Sequence, residues 1–256
     1  MTSLVDTHCH LHDRSTYDYV LSQNPKVNPA DFTPEAMLKT AAKNGVEKIV
    51  CIGTTHEDSL RARDFAAAHD NIFWTYGIHP EEASGVTAGD CAEAEPSLAI
   101  GEIGLDYHRP GYNKSAQIQL LEQMLDLAVK NELPVVFHVR DAFDDFWPIF
   151  DNFSKIKTAV IHSFSDNEQN LRAALNRDLY IGVNGLATFT NIPIPPLECT
   201  VLETDAPFLA PAPFRGQPNQ PAHIKSIAEH LAAHHHVPLE DVAEITTSNA
   251  HRLFGW

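Results

Sequence analysis

Two histidines one residue apart, His8 and His10 in Asp6-Thr-His-Cys-His10, follow the apolar pair Leu4-Val5. Residues i and i+2 of a β-strand share a face, so both imidazoles can converge on one point. Imidazole is the commonest side-chain ligand for Zn²⁺ and related cations. A lone His-x-His also suits an exposed strand end, so the rest of the chain must choose between the two readings. Further metal-type side chains close other apolar runs. Glu102 ends Leu98-Ala-Ile-Gly-Glu102, and His138 ends Pro134-Val-Val-Phe-His138. His162 follows Ala159-Val-Ile161, and Asp205 follows Val201-Leu-Glu-Thr204. Taken singly, Glu102 or Asp205 could cap a helix and His162 could open one. Jointly they form a ligand set suited to two neighbouring divalent cations.

Such residues meet only if the elements carrying them share one end. Short apolar, β-prone runs fall at 3–7, 48–52, 72–76, 98–102, 134–138, 158–161, 179–183 and 201–203, most of them apolar on both faces, as parallel strands covered by helices are. Helical patterns fall at 34–44, 58–69, 115–131, 142–152 and 167–176, with Ile118, Leu121, Met124, Leu125 and Ala128 at helical spacing. The pattern predicts an α/β chain folded as a (β/α)₈ TIM barrel, whose strand C-termini open onto one face. Pro193, Pro195 and Pro196 interrupt 186–199, so the helix after strand 7 is expected to shrink to a loop. The runs 221–233 and 239–254 read as further helices. One domain spanning 1–256 is expected.

The 256 residues are 43% hydrophobic, enough for a full core, and 18 Lys+Arg against 34 Asp+Glu leave a net charge of −16. That balance disfavours a tight, nonspecific duplex-DNA binder. Cys9, Cys51, Cys91 and Cys199 form no Cys-x-x-Cys pair and read as inert thiols in a reducing compartment. No secretory signal or membrane-spanning run is visible, so a cytoplasmic protein, monomer favoured, is expected. Serine-hydrolase elbows, P-loops and dinucleotide fingerprints are absent.

The chain resembles the TatD family of metal-dependent deoxyribonucleases, in the amidohydrolase-like group. The resemblance is carried in order by Val5-Asp-Thr-His-Cys-His-Leu11, Gly77-Ile-His-Pro80, Gly101-Glu-Ile-Gly-Leu-Asp-Tyr107 and His138-Val-Arg-Asp-Ala142. It continues through His162-Ser-Phe-Ser165, Glu203-Thr-Asp-Ala-Pro-Phe-Leu-Ala-Pro211, Arg215-Gly216 and Asn249-Ala-His-Arg-Leu-Phe-Gly255. It implies one cation held by His8, His10, Glu102 and Asp205, with Glu102 bridging to a second held by His138 and His162. It further implies a metal-bound hydroxide as nucleophile, Asp205 accepting a proton, and Glu102 beside it in catalysis. The cations could be Zn, Mn, Co, Fe or Mg.

The activity so implied is cleavage of DNA phosphodiester bonds, as a 3′→5′ exonuclease on single-stranded or frayed DNA. The alternatives are an ester or amide hydrolase, such as a D-aminoacyl-tRNA deacylase, or a non-catalytic metal-binding module. His79 is a candidate substrate-phosphate contact or a structural turn histidine. Arg140 and Arg215 are phosphate candidates, although Asp141 could tie Arg140 down. Phe208 could stack on a base or simply pack. Where the family usually has Asp after His-Cys-His-Leu this chain has His12, read as a surface residue in preference to an extra polar contact at the mouth. The stretch 13–31, with Tyr17 and Tyr19, reads as a long loop shaping access. Glu203 is a candidate orienting partner for a ligating group, although regular alternation would point it away from the Asp205 face, and His234-His-His236 reads as an exposed cluster.

Overall fold

Eight parallel strands pair in strict sequence order, β1 (Leu4–Cys9), β2 (Val46–Cys51), β3 (Ile72–Tyr76), β4 (Ala99–Asp106), β5 (Val135–Arg140), β6 (Ala159–Ile161), β7 (Tyr180–Val183) and β8 (Thr200–Leu202). The computed structural model describes residues 3–86 and 97–256; Cys91 lies outside them. Around the sheet run α1 (Arg14–Ser22), α2 (Pro34–Lys43), α3 (His56–Ala66), α4 (Lys114–Asn131), α5 (Phe143–Phe150), α6 (Glu168–Leu175), α7 (Ile224–His235) and α8 (Leu239–Phe254). This is the (β/α)₈ barrel the sequence predicts. Only two short 3₁₀ turns, Gly185–Thr188 and Leu197–Cys199, lie between β7 and β8, where prolines remove the donors a helix needs.

The ring closes at β1 and β8. Thr7 Oγ1 donates to Leu202 O at 2.9 Å, His10 N to Ala206 O at 2.8 Å, and Asp205 N to His8 O at 2.8 Å. The wholly buried Asp6 carboxylate clamps the seam, accepting from Thr204 N at 2.8 Å and Thr204 Oγ1 at 2.6 Å. Where the strands begin, Val5, Val50, Val136, Val160 and Val201 gather with Ala250, Leu253 and Phe254 of α8. Asn249 secures that helix by donating to Leu197 O and Thr200 O, each at 2.7 Å. Apolar packing therefore fills one end and leaves the other free for polar chemistry.

Two sequence expectations need correction. The stretch 13–31 is not a loop throughout, because Asp13 caps α1 by accepting from Ser15 N and Thr16 N. Tyr17 and Leu21, one turn apart, are buried, whereas Tyr19 is exposed. Strand β4 also runs past Glu102 to Asp106. A register shift between Ile100 and Ile103 re-aims Glu102, whose N–H donates to Gly53 O at 3.0 Å. Gly77 permits that approach, since a Cβ there would lie 2.2 Å from the Glu102 nitrogen.

Candidate metal centre

The exits of β1, β5, β6 and β8 and the middle of β4 bring His8, His10, Glu102, His138, His162 and Asp205 together, as the sequence predicts. Glu102 is the hub. Its Oε1 lies 2.8 Å from His138 Nδ1 and 3.1 Å from His162 Nε2, while Oε2 faces His8 Nε2 at 3.4 Å. Asp205 Oδ1 lies 3.5 Å from His10 Nε2 and 3.7 Å from His8 Nε2. The His8 and His162 rings stack at 3.7 Å. Donor atoms of His8, His10 and Glu102, of His8, His162 and Asp205, and of His79, Glu102 and His138 each lie within 4.8 Å of one another.

Both ring nitrogens of His8 are buried without a hydrogen-bond partner. Leaving an imidazole so placed is costly unless a cation takes one of its lone pairs. The donor set of nitrogens and carboxylate oxygens suits such a cation. Burial raises the Glu102 pKa, but His162 and His8 outweigh burial and hold it well below the carboxylate range. Burial, with His162 alongside, lowers the His8 pKa, leaving the neutral form that ligation requires. His10, His138 and His162 are raised against burial by their carboxylate neighbours.

Carboxylates also stand behind two of these histidines. Asp106 Oδ2 lies 2.9 Å from His138 Nε2, and its pKa is held at about 2, the His138 hydrogen bond outweighing burial. Gln117 on α4 fixes the Asp106 backbone with bonds of 2.8 and 2.9 Å. Glu203 Oε1 accepts from Ser163 N at 2.7 Å and lies 3.3 Å from His162 Nδ1. Glu203 thus faces the centre, contrary to the alternation expectation. Strand β8 ends at Leu202, and Asp205 at φ 55° breaks the alternation, so both carboxylates turn inward. Gly182 makes the room, because a Cβ there would stand 2.2 Å from Glu203 Oε2. Sequence reasoning missed Asp106, although its even spacing from Glu102 along one strand was a usable signal.

His12 is not a surface residue. Its side chain is fully buried, and Nε2 lies 3.1 Å from Asp58 Oδ1. Asp58 Oδ2 in turn accepts from Thr54 N and Thr54 Oγ1, both at 3.0 Å, and Thr54 O accepts from His79 N at 2.8 Å. The His12–Asp58 pair therefore ties the exit of β1 to the segment after β2.

His79 Nδ1 accepts from Glu81 N at 3.2 Å, and burial, with His138 alongside, pushes its pKa down to about 3. A neutral ring accepting at Nδ1 carries its proton on Nε2, which points toward Glu102 Oε1 at 3.8 Å. His79 is thus a donor aimed into the centre as well as a turn histidine. Arg140 and Phe208 line the same cavity of about 420 Å³. Asp141 pairs with His108 at 2.8 Å instead of with Arg140. Arg215 is not brought there: its guanidinium lies 3.5 Å from the Phe189 ring centroid. His234 and His235 end α7, with His236 as its C-cap.

A (β/α)₈ barrel with imidazoles and carboxylates gathered at the strand exits defines the class of metal-dependent hydrolases. Residues 5–255 match the family model described as TatD related DNase. The chain belongs to the TatD family. It is 32% identical to an uncharacterized metal-dependent hydrolase, YabD, of Bacillus subtilis, over 98% of each chain. A 3′-5′ ssDNA/RNA exonuclease TatD of Citrobacter rodentium is 33% identical over 82% of this chain and 88% of its own. The crystal structure of the TatD homologue YjjV of Escherichia coli superposes with a TM-score of 0.85 at 28% identity, covering 99% of this chain and 98% of that one. No helix among the described residues is long and apolar enough to cross a membrane.

Proposed function

We propose that the chain is a two-cation phosphodiesterase acting as a 3′→5′ exonuclease on single-stranded or frayed DNA. The observation that carries the reading is Glu102, whose two oxygens face separate imidazole groups, His138 and His162 on one side and His8 on the other. That is the disposition of a carboxylate shared by two cations. His8, His10, Glu102 and Asp205 would hold one, and Glu102, His138 and His162 the other. Bound there, divalent ions would acidify water and offset charge on phosphoryl oxygens. The exonuclease name of the Citrobacter relative supports a nucleic-acid substrate.

The chain's own groups then have separable tasks. Asp205, ionised and 14% exposed, accepts the proton of the attacking water. His79 Nε2–H donates to a non-bridging phosphoryl oxygen, and Arg140 pairs with the phosphate from the pocket wall. Phe208 offers its ring to the adjoining base. End-labelled oligonucleotides, single-stranded and duplex, incubated with protein loaded with Mn²⁺, Mg²⁺, Zn²⁺ or Co²⁺, are expected to shorten from the 3′ end. Intact oligonucleotides with every cation would reject the proposal.

A further inference from the structure

Exposed aromatic rings are few on this surface, and two of them flank the centre. Among the described residues the exposed large apolar side chains are Tyr19, Tyr112 and Phe208, at 66%, 44% and 43%. Phe208 lines the metal pocket, whereas Tyr112 lines a neighbouring cavity of about 280 Å³. The two cavities share Glu81, Glu82, Asp106 and Arg109, so they are compartments of one groove. Tyr112 is a braced plane: it stacks on Tyr107 at 4.6 Å with 13° between the rings, and the Lys114 ammonium lies 5.6 Å from the Tyr107 centroid.

The wall chemistry says what fits. Glu81, Glu82 and Asp106 make this compartment electronegative, and Arg109 is already bound to Glu81 at 2.5 Å. Such a wall repels a further phosphate but accepts an uncharged, flat ring, for which a braced tyrosine is a ready stacking partner. We propose that the second compartment is a nucleobase subsite. In it Tyr112 stacks on the base on one side of the scissile phosphate, while Phe208 serves the base on the other. The inference builds on the phosphodiesterase reading and adds a minimum substrate of two bases, gripped by rings and not by a track of cations.

The test compares the dinucleotide d(TpT) with thymidine 5′-methyl phosphate, a phosphodiester with one base and no second ring, using metal-loaded wild type, Tyr112→Ala and Tyr112→Phe. With base stacking removed, Tyr112→Ala is expected to lose about 5- to 100-fold in kcat/KM on d(TpT), carried by KM. It should stay within about twofold of wild type on the one-base ester, and Tyr112→Phe should restore d(TpT) turnover. Equal loss on both substrates, or no loss on either, would overturn the subsite while leaving the phosphodiesterase reading intact. Hydrolysis of neither substrate by wild type would overturn the phosphodiesterase reading as well.

Discussion

The two halves of the candidate metal centre are held in place by different means. On the β5 and β6 side, His138 and His162 each have a carboxylate behind them, Asp106 and Glu203. On the β1 side, His8 meets only the shared carboxylates, Glu102 at 3.4 Å and Asp205 at 3.7 Å, with none behind its ring, and its strand is held by the backbone seam that Asp6 clamps. The difference separates two ways of preorganising a ligand. A carboxylate aims one ring and raises its basicity. A clamped strand aims every side chain on its face at once, and at His8 burial, with His162 alongside, lowers the pKa.

The largest effect should come from removing what the halves share. Glu102→Gln is expected to lower cation content at both positions and reduce turnover by at least about 10³-fold, an electrostatic loss of the size seen for key catalytic groups. Elemental analysis of the purified variant alongside its rate would check this; full occupancy would show that the halves are independent. Asp205→Asn should abolish hydrolysis with most of the metal retained, because His8, His10 and Glu102 remain. A fully active variant would remove Asp205 from the proton-transfer role.

Asp106→Asn and Glu203→Gln should sharpen the comparison by weakening only the β5 and β6 half. Each is expected to cost about 10- to 100-fold in affinity for one cation. Titration calorimetry should resolve one weakened and one unchanged event, and equal weakening of both would erase the distinction. Raised pKa values at His138 and His162 add a pH signature. The cation on that side must displace protons, so its affinity should fall more steeply as pH drops.

The smallest effect concerns the tie between the β1 exit and the segment after β2. Burial lowers the His12 pKa, but Asp58 and Cys51 together outweigh it and raise the group from 6.5 to about 9. A raised histidine stabilises the fold fully below its unfolded pKa and loses that contribution as pH rises through its folded value. The raised His12, through Asp58 and Cys51 together, should thus contribute about 3 kcal/mol below pH ~6.5, fading toward and beyond pH 9. Asp58, its pKa depressed by the His12 hydrogen bond against burial, stays ionised throughout that window. Thermal melts of metal-stripped protein should show this decline in wild type and a flatter profile in His12→Asn. Parallel profiles would refute it.

The barrel and the meeting of His8, His10, Glu102, His138, His162 and Asp205 were legible because strand C-termini share a face, so residues far apart in sequence need only end apolar runs. What escaped depended on local departures from ideal geometry. Glu203 was mis-aimed because regular alternation fails where Asp205 turns left-handed. His12 was assigned to solvent because its partner, Asp58, is 46 positions away and nothing local announces it. Helix α1 was missed although Asp13 was a good cap, since only Tyr17 and Leu21 make its apolar stripe. Arg215 carried a plausible charge, but its loop folds that charge onto Phe189.

The Asp6–Thr204 clamp joins residues 198 positions apart. A chain emerging from the ribosome therefore exposes His8 and His10 long before Asp205 exists to meet them. Contacts of such separation form late and slow the search for the native state. Until the last strand docks, the early histidines are a loose chelating pair with no selectivity imposed by shape. On the two-cation proposal, the order of synthesis would leave the His8–His10 site incomplete until the last strand docks.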